Sequence, residues 1–251
     1  MPTTPPSPPE PPGSNSETTF GDRLARGRTM QSKIAGFAPA FAPDDADLAP
    51  AAFSTFLDSI QTKNTEIAEA EPVFSQWVTT RRTLYETIKE RTLQVVDTIS
   101  GNKAWNLYLP KVKEYARMIR NTRPPKAPAD APADPNAPAK PKRKTGQQSF
   151  GDIDLWFEKL IEAVKLVPGY GPPPESNIQV AQLTTLLTDY RTANKKVAEL
   201  GAPLSNLRRE RLALYDGDPG LRTKMKAIKK STSGQYGRAS THYAEVKGIG
   251  L

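Results

Sequence analysis

The chain of 251 residues contains no cysteine and one histidine, His242. The first absence excludes a disulfide scaffold and any cysteine-ligated zinc or iron–sulfur site, and it fits a reducing cytosol. The second leaves little for a histidine-based triad, since neither a cysteine nucleophile nor a Gly-x-Ser-x-Gly elbow accompanies it. His242 itself reads as an exposed residue on a terminal helix. No Glu-x-x-His pair is present to hold a di-iron centre. No glycine-rich phosphate loop is present either; Gly248-Ile249-Gly250 follows a helix and fails the strand-then-helix context. No stretch reaches the ~18 apolar residues of a membrane span. The start, Met1-Pro2-Thr3-Thr4-Pro5-Pro6, lacks the basic patch and apolar core of a signal peptide. The expectation is a cytoplasmic, non-enzymatic protein that needs no cofactor or metal.

Proline, by contrast, is abundant, with 25 residues concentrated in two tracts. Residues 1–19 hold no apolar side chain between Met1 and Phe20, so burial cannot offset the entropy of ordering them. The second tract, 123–149, is dominated by Pro, Ala, Asp and Lys, the composition of a semi-extended spacer. The net charge of +8 is uneven. Residues 1–19 carry −2, 20–122 carry +2, 123–146 carry +4 and 147–251 carry +4.

Between the tracts the chain repeats itself. Phe20-Gly21-Asp22 returns as Phe150-Gly151-Asp152, 130 residues later. The same offset maps Leu57 to Leu187, Asn64 to Asn194, Arg81 to Arg211 and Leu84-Tyr85 to Leu214-Tyr215. A duplication obliges both copies to carry the same helices in the same order. The apolar residues are helical in spacing: Phe53, Phe56, Leu57, Ile60 and Ile67 in the first copy, Leu183, Leu186, Leu187, Tyr190 and Val197 in the second. A further helix is predicted to begin near Pro72 and Pro203, proline being tolerated in a first turn. In the first copy it continues to Gly101; in the second, Asp216-Gly217-Asp218-Pro219-Gly220 breaks it and another starts near Leu221. Final helices are predicted over Lys111–Ile119 and Ser240–Lys247. Each copy also opens on a helix, with Asp152 as N-cap of the second and Gly27 and Gly36 interrupting the first. No alternating β-branched run is long enough for a sheet. The expected fold is all-α: a tandem duplication of an antiparallel helical bundle, about four helices per copy. The copies cover 20–122 and 150–251, joined by the proline-rich 123–149 linker.

Several residues stand out inside this frame. Asn64 and Asn194 interrupt apolar stripes, where a polar side chain must find a partner, and they read as register-fixing residues. Arg81 and Arg211 lie in line with the next stripes, and Glu69 and Glu199 are candidate carboxylates to pair with them. Trp105, Tyr108, Tyr236 and Tyr243 near the bundle ends are candidate partner contacts. Arg222, Lys226, Lys229 and Lys230 fall within about 100° of a helical wheel. With Lys142-Arg143-Lys144 they form a candidate phosphate-contacting strip for sequence-independent nucleic-acid binding. No aromatics are interleaved for base stacking.

The ending Tyr236-Gly237-Arg238-Ala239-Ser240-Thr241-His242-Tyr243-Ala244-Glu245-Val246-Lys247-Gly248-Ile249 resembles the terminus of a loose group of bacterial helical proteins. Those often close on an aromatic-Gly, then Ser, then Tyr, then a Val-x-x-Ile pattern. The resemblance begins near Leu221 and implies a helical fold and a bacterial source. It transfers no catalytic or binding residue. The first copy departs from it, with Trp105 and Tyr108-Leu109-Pro110 in the corresponding stretch. Two like units in one chain favour a structural or interaction protein that bridges protein partners or assembles with itself. Nucleic-acid binding is the alternative.

Overall fold

The structure, a computed structural model, describes residues 15–120 and 150–250. Its elements are α1 (Asn15–Ala35), α2 (Pro50–Ser100), α3 (Leu109–Arg120), α4 (Phe150–Lys165), α5 (Val180–Asp216), α6 (Leu221–Tyr236) and α7 (Thr241–Lys247). Short 3-10 turns lie at Ala46–Leu48, Lys103–Trp105 and Pro174–Ser176. No strand occurs among the described residues, and no described helix is long and apolar enough to cross a membrane.

Helix ends follow local chemistry. Asp216-Gly217-Asp218-Pro219-Gly220 does separate α5 from α6. A Cβ on Gly217 would lie 2.4 Å from the Ala213 carbonyl oxygen, and one on Gly220 2.6 Å from that of Gly217. The turn therefore demands glycine at both positions. Ser240 caps α7 by accepting from the Tyr243 N–H, and Gly237, at φ 85°, ends α6, a conformation that suits glycine.

Four expectations change. Pro72 and Pro203 do not start helices; they lie inside α2 and α5. Each ring removes one hydrogen-bond donor. Both prolines are exposed, so water can serve the freed carbonyl, while the neighbouring Ile67 and Leu204 remain buried. Among the described residues, 15–120 consequently form three helices and 150–250 four. Asp152 is not an N-cap, because α4 starts two residues earlier and places it in the first turn. Residues 15–19, assigned by composition to the tail, belong to α1, because a helix nucleated on a buried stripe propagates cheaply. Gly27 does not interrupt that helix either. A Cβ there would meet Leu57 Cδ2 at 2.7 Å and Leu221 Cδ1 at 3.2 Å, so the glycine lets α1 approach α2 and α6 closely.

The chain forms two compact units, and their boundaries fall within α2 and α5. Unit one is the described part of Met1–Glu71 with Ala202–Leu251; unit two is Pro72–Gly201. The core of unit one joins Leu24, Met30 and Ile34 of α1 to Phe53, Leu57 and Ile60 of α2. Tyr215, then Leu221, Met225 and Ile228 of α6, then Val246 of α7 complete it. The core of unit two joins Ile88, Val95 and Ile99 of α2 to Val112 and Ile119 of α3. Phe157, Leu160 and Val164 of α4 and Leu183 and Tyr190 of α5 close it.

The close approach at Gly27 yields a prediction. Gly27→Leu would force side chains into the fully buried Leu57, and overpacking of this kind costs about 1–3 kcal/mol. Urea denaturation should show a loss of that size; an unchanged midpoint would contradict the packing.

Candidate functional site

Several polar residues of unit one gather around Tyr215, which is fully buried. Its hydroxyl donates to the Phe20 carbonyl at 2.9 Å and accepts from Asn64 Nδ2 at 3.0 Å. Asn64 Oδ1 is buried with no hydrogen-bond partner. The Arg211 guanidinium lies 4.3 Å from the centre of the Phe20 ring, and that of Arg23 lies 5.0 Å from the centre of the Tyr215 ring. Arg23 also donates to both carboxylate oxygens of Asp216, at 3.1 and 2.5 Å, and to the Tyr215 carbonyl. This guanidinium holds the Asp216 carboxyl below its ordinary pKa.

Beside this cluster α1 and α2 enclose a groove of about 490 Å³. It is lined by Phe20, Leu24, Arg28, Gln61, Asn64 and Thr65, among others. Arg28, its charged residue, is held by Asp58 at 2.5 Å. Residues 130 positions on from Leu24, Arg28 and Gln61 are Asp154, Glu158 and Arg191. In unit two Arg191 bridges Asp154 at 2.6 Å and Glu158 at 3.0 Å. Ion pairing thus joins all three positions in unit two, whereas in unit one Leu24 and Gln61 line the groove and Arg28 pairs with Asp58 instead.

Unit two carries the matching polar residues Arg81, Tyr85 and Asn194. The side-chain atoms Asn194 Oδ1 and Arg81 Nε are buried, as are their counterparts Asn64 Oδ1 and Arg211 Nε in unit one. Tyr85 donates to the Ile119 carbonyl at 3.3 Å. Burial lifts Tyr190 to a pKa of about 12 against an opposing hydrogen bond from Asn194, and burial does the same for Tyr170.

Other residues singled out in the sequence turn out to have structural employment. Glu69 and Glu199 do not serve the arginines. Each lies twelve residues before its arginine on one unbroken helix, about 18 Å of axial rise. Glu199 instead takes Lys196 at 3.1 Å and Lys195 at 3.7 Å, and Glu69 is exposed. Trp105 Nε1 donates to the Pro168 carbonyl at 2.9 Å, and Tyr108 packs on the core of unit two. Tyr236 donates to the Pro39 carbonyl at 2.6 Å, and Tyr243 packs on the core of unit one. His242 is not exposed. Half-buried, it stacks on Tyr236 with centroids 4.5 Å apart and meets Phe37 edge-on at 4.6 Å, because the Ser240 cap folds α7 back toward α6.

The basic strip is divided. Arg222, Lys226 and Lys230 are exposed on α6. Lys229 turns inward and donates to the carbonyls of Lys247 and Ile249, at 3.1 and 2.5 Å; burial lowers its pKa. Asp44 and Asp45 line a 680 Å³ cavity together with Lys230, which tempers the attraction of that end for phosphate. Lys224, which periodicity did not single out, is buried, lies 3.6 Å from Asp47 and sits over the Phe56 ring. Lys142, Arg143 and Lys144 lie outside the described residues. Among the described residues no group of three or more His, Asp or Glu side chains could hold a metal ion.

No family model matches the chain, and no curated protein or solved structure matches it. The functional reading therefore rests on the geometry alone.

Two predictions follow from the buried tyrosines. Tyr215→Phe strands the Asn64 amide and removes a bond to the Phe20 carbonyl, and should cost about 1–3 kcal/mol; a denaturation midpoint equal to wild type would show that the hydroxyl carries no load. Tyr190 and Tyr170 ionise near 10 when unfolded but near 12 when folded. Their contribution is complete below pH 10 and is lost as the pH rises toward 12. Stability should fall in that window by up to about 1.4 kcal/mol per pH unit for each. Thermal melts of Tyr190→Phe should show a shallower decline; an identical decline would refute the assignment.

Proposed function

We propose that the chain is a non-enzymatic structural or interaction protein, built by duplication of an antiparallel helical bundle, whose two related units engage partners or further copies of the chain. The observation that carries the reading is the distribution of matched residues. Asn64, Arg211 and Tyr215 lie in unit one, while Asn194, Arg81 and Tyr85, each displaced by 130 residues, lie in unit two. One chain thereby displays two versions of one body, the basis of bivalent binding. The versions differ where α1 and α2 leave a groove and where Arg191 bridges Asp154 and Glu158. This supports a bridge between unlike surfaces.

Static light scattering of the purified chain across a concentration series, with negative-stain imaging, tests the reading. The expected result is a mass that climbs above 27.5 kDa with concentration, or particles larger than one chain. A constant single-chain mass, together with failure to retain any protein partner in a pull-down, would overturn it.

A further inference from the structure

Both units are assembled across the middle of the chain. In unit one, Lys63 meets Glu210 at 3.0 Å and Glu71 meets Arg208 at 2.6 Å. Asn64 meets Tyr215, and Arg23 meets Asp216. In unit two, Trp105 donates to the Pro168 carbonyl, and the rings of Tyr115 and Trp156 lie 6.1 Å apart. Residues 15–120 thus contribute α1 and part of α2 to one unit, and the rest of α2 with α3 to the other. Residues 150–250 contribute in the opposite sense. Neither half owns a complete core. The ion pairs run both ways: cations of the first half face acids of the second at Lys63 and Arg23, and the reverse holds at Glu71. Mutual completion of two bodies by two halves is the arrangement of exchanged protomers.

We propose that the face by which residues 15–120 grip residues 150–250 also serves a second copy of this chain. The later half of one copy completes both units on the earlier half of another, giving a closed, reciprocal dimer. Closure within one chain competes through the effective concentration set by the intervening residues 121–149, so exchange is favoured when chains fold together at high concentration. This goes beyond the functional reading and does not rest on it. A native preparation that stays a single chain and retains no protein partner would defeat that reading and leave exchange unaffected, because exchange requires the units to open.

The test starts from the folded full-length chain with a specific protease site inserted between Pro135 and Asn136. After cleavage the two fragments should co-elute at the mass of the uncut chain with unchanged helicity. Separation into two independently folded pieces would overturn the proposal. In the cleaved protein, Arg208→Glu should weaken fragment association about two- to five-fold, as expected for an exposed ion pair. Adding Glu71→Arg should restore it; failure of the rescue would count against a specific interface. Finally, two differently labelled full-length copies should be unfolded and refolded together at high concentration. Mixed species of twice the single-chain mass are expected. Their absence at every concentration would sink the second-copy partner even if the fragments hold together.

Discussion

The continuity of α2 and α5 past their prolines is the constraint on which this fold turns. An unbroken helix cannot fold back on itself. The apolar residues before Pro72, from Phe53 to Ile67, and those after it, from Ile88 to Ile99, must therefore be buried in different places. A break at Pro72 would let α1, α2 and α3 close on one another, and each half of the chain would form its own bundle. With no break, each stretch is completed by helices from the other half. The prolines are tolerated because they face outward, where solvent satisfies the freed carbonyls, and because burial on either side outweighs a local loss of helix propensity.

A second theme is the use of cations to finish helices. Arg23 reaches the Tyr215 carbonyl and Asp216 at the end of α5. Lys229 reaches the carbonyls of Lys247 and Ile249 at the end of α7. A helix C-terminus carries unsatisfied carbonyls and partial negative charge, and both are met by these donors. The chain's closing pattern is explained by the same local chemistry. Gly237 supplies the positive φ, Ser240 the cap, Val246 the buried anchor, and Ile249 a carbonyl for Lys229. Each residue there has a structural task.

Much of this was legible in the sequence where one residue type dictates one conformation. The stripes Phe53–Ile60 and Leu183–Tyr190 announced helices, and the Gly217–Gly220 segment announced a break, because periodicity and backbone sterics act locally. The fate of Pro72 was not legible, since the competing terms were a local defect and burial among distant helices. For the same reason the carboxylates of Glu69 and Glu199 were matched to the wrong cations: the pairing presumed a turn at the proline. Lys229 looked like its neighbours on the wheel, and only the position of the α7 terminus sets it apart. Lys224 could have been noticed from its place beside Leu221, Met225 and Ile228. The groove at Phe20 and Asn64 left its trace in the replacement of Leu24, Arg28 and Gln61 by three charged residues at the equivalent positions.

The partition of the chain also orders its birth. Unit two is one continuous stretch of sequence, whereas unit one is made of one segment that precedes it in the chain and one that follows it. On a ribosome, unit two has all its residues once Gly201 has emerged. The early helix α1 and the start of α2 must meanwhile wait with Phe53 and Leu57 only partly covered, until Leu221 and finally Val246 arrive to complete the core. Contacts so distant in sequence close slowly, and exposed apolar stripes are the targets of chaperones. The discontinuous unit is thus the vulnerable part of a nascent molecule whose continuous unit can already be complete.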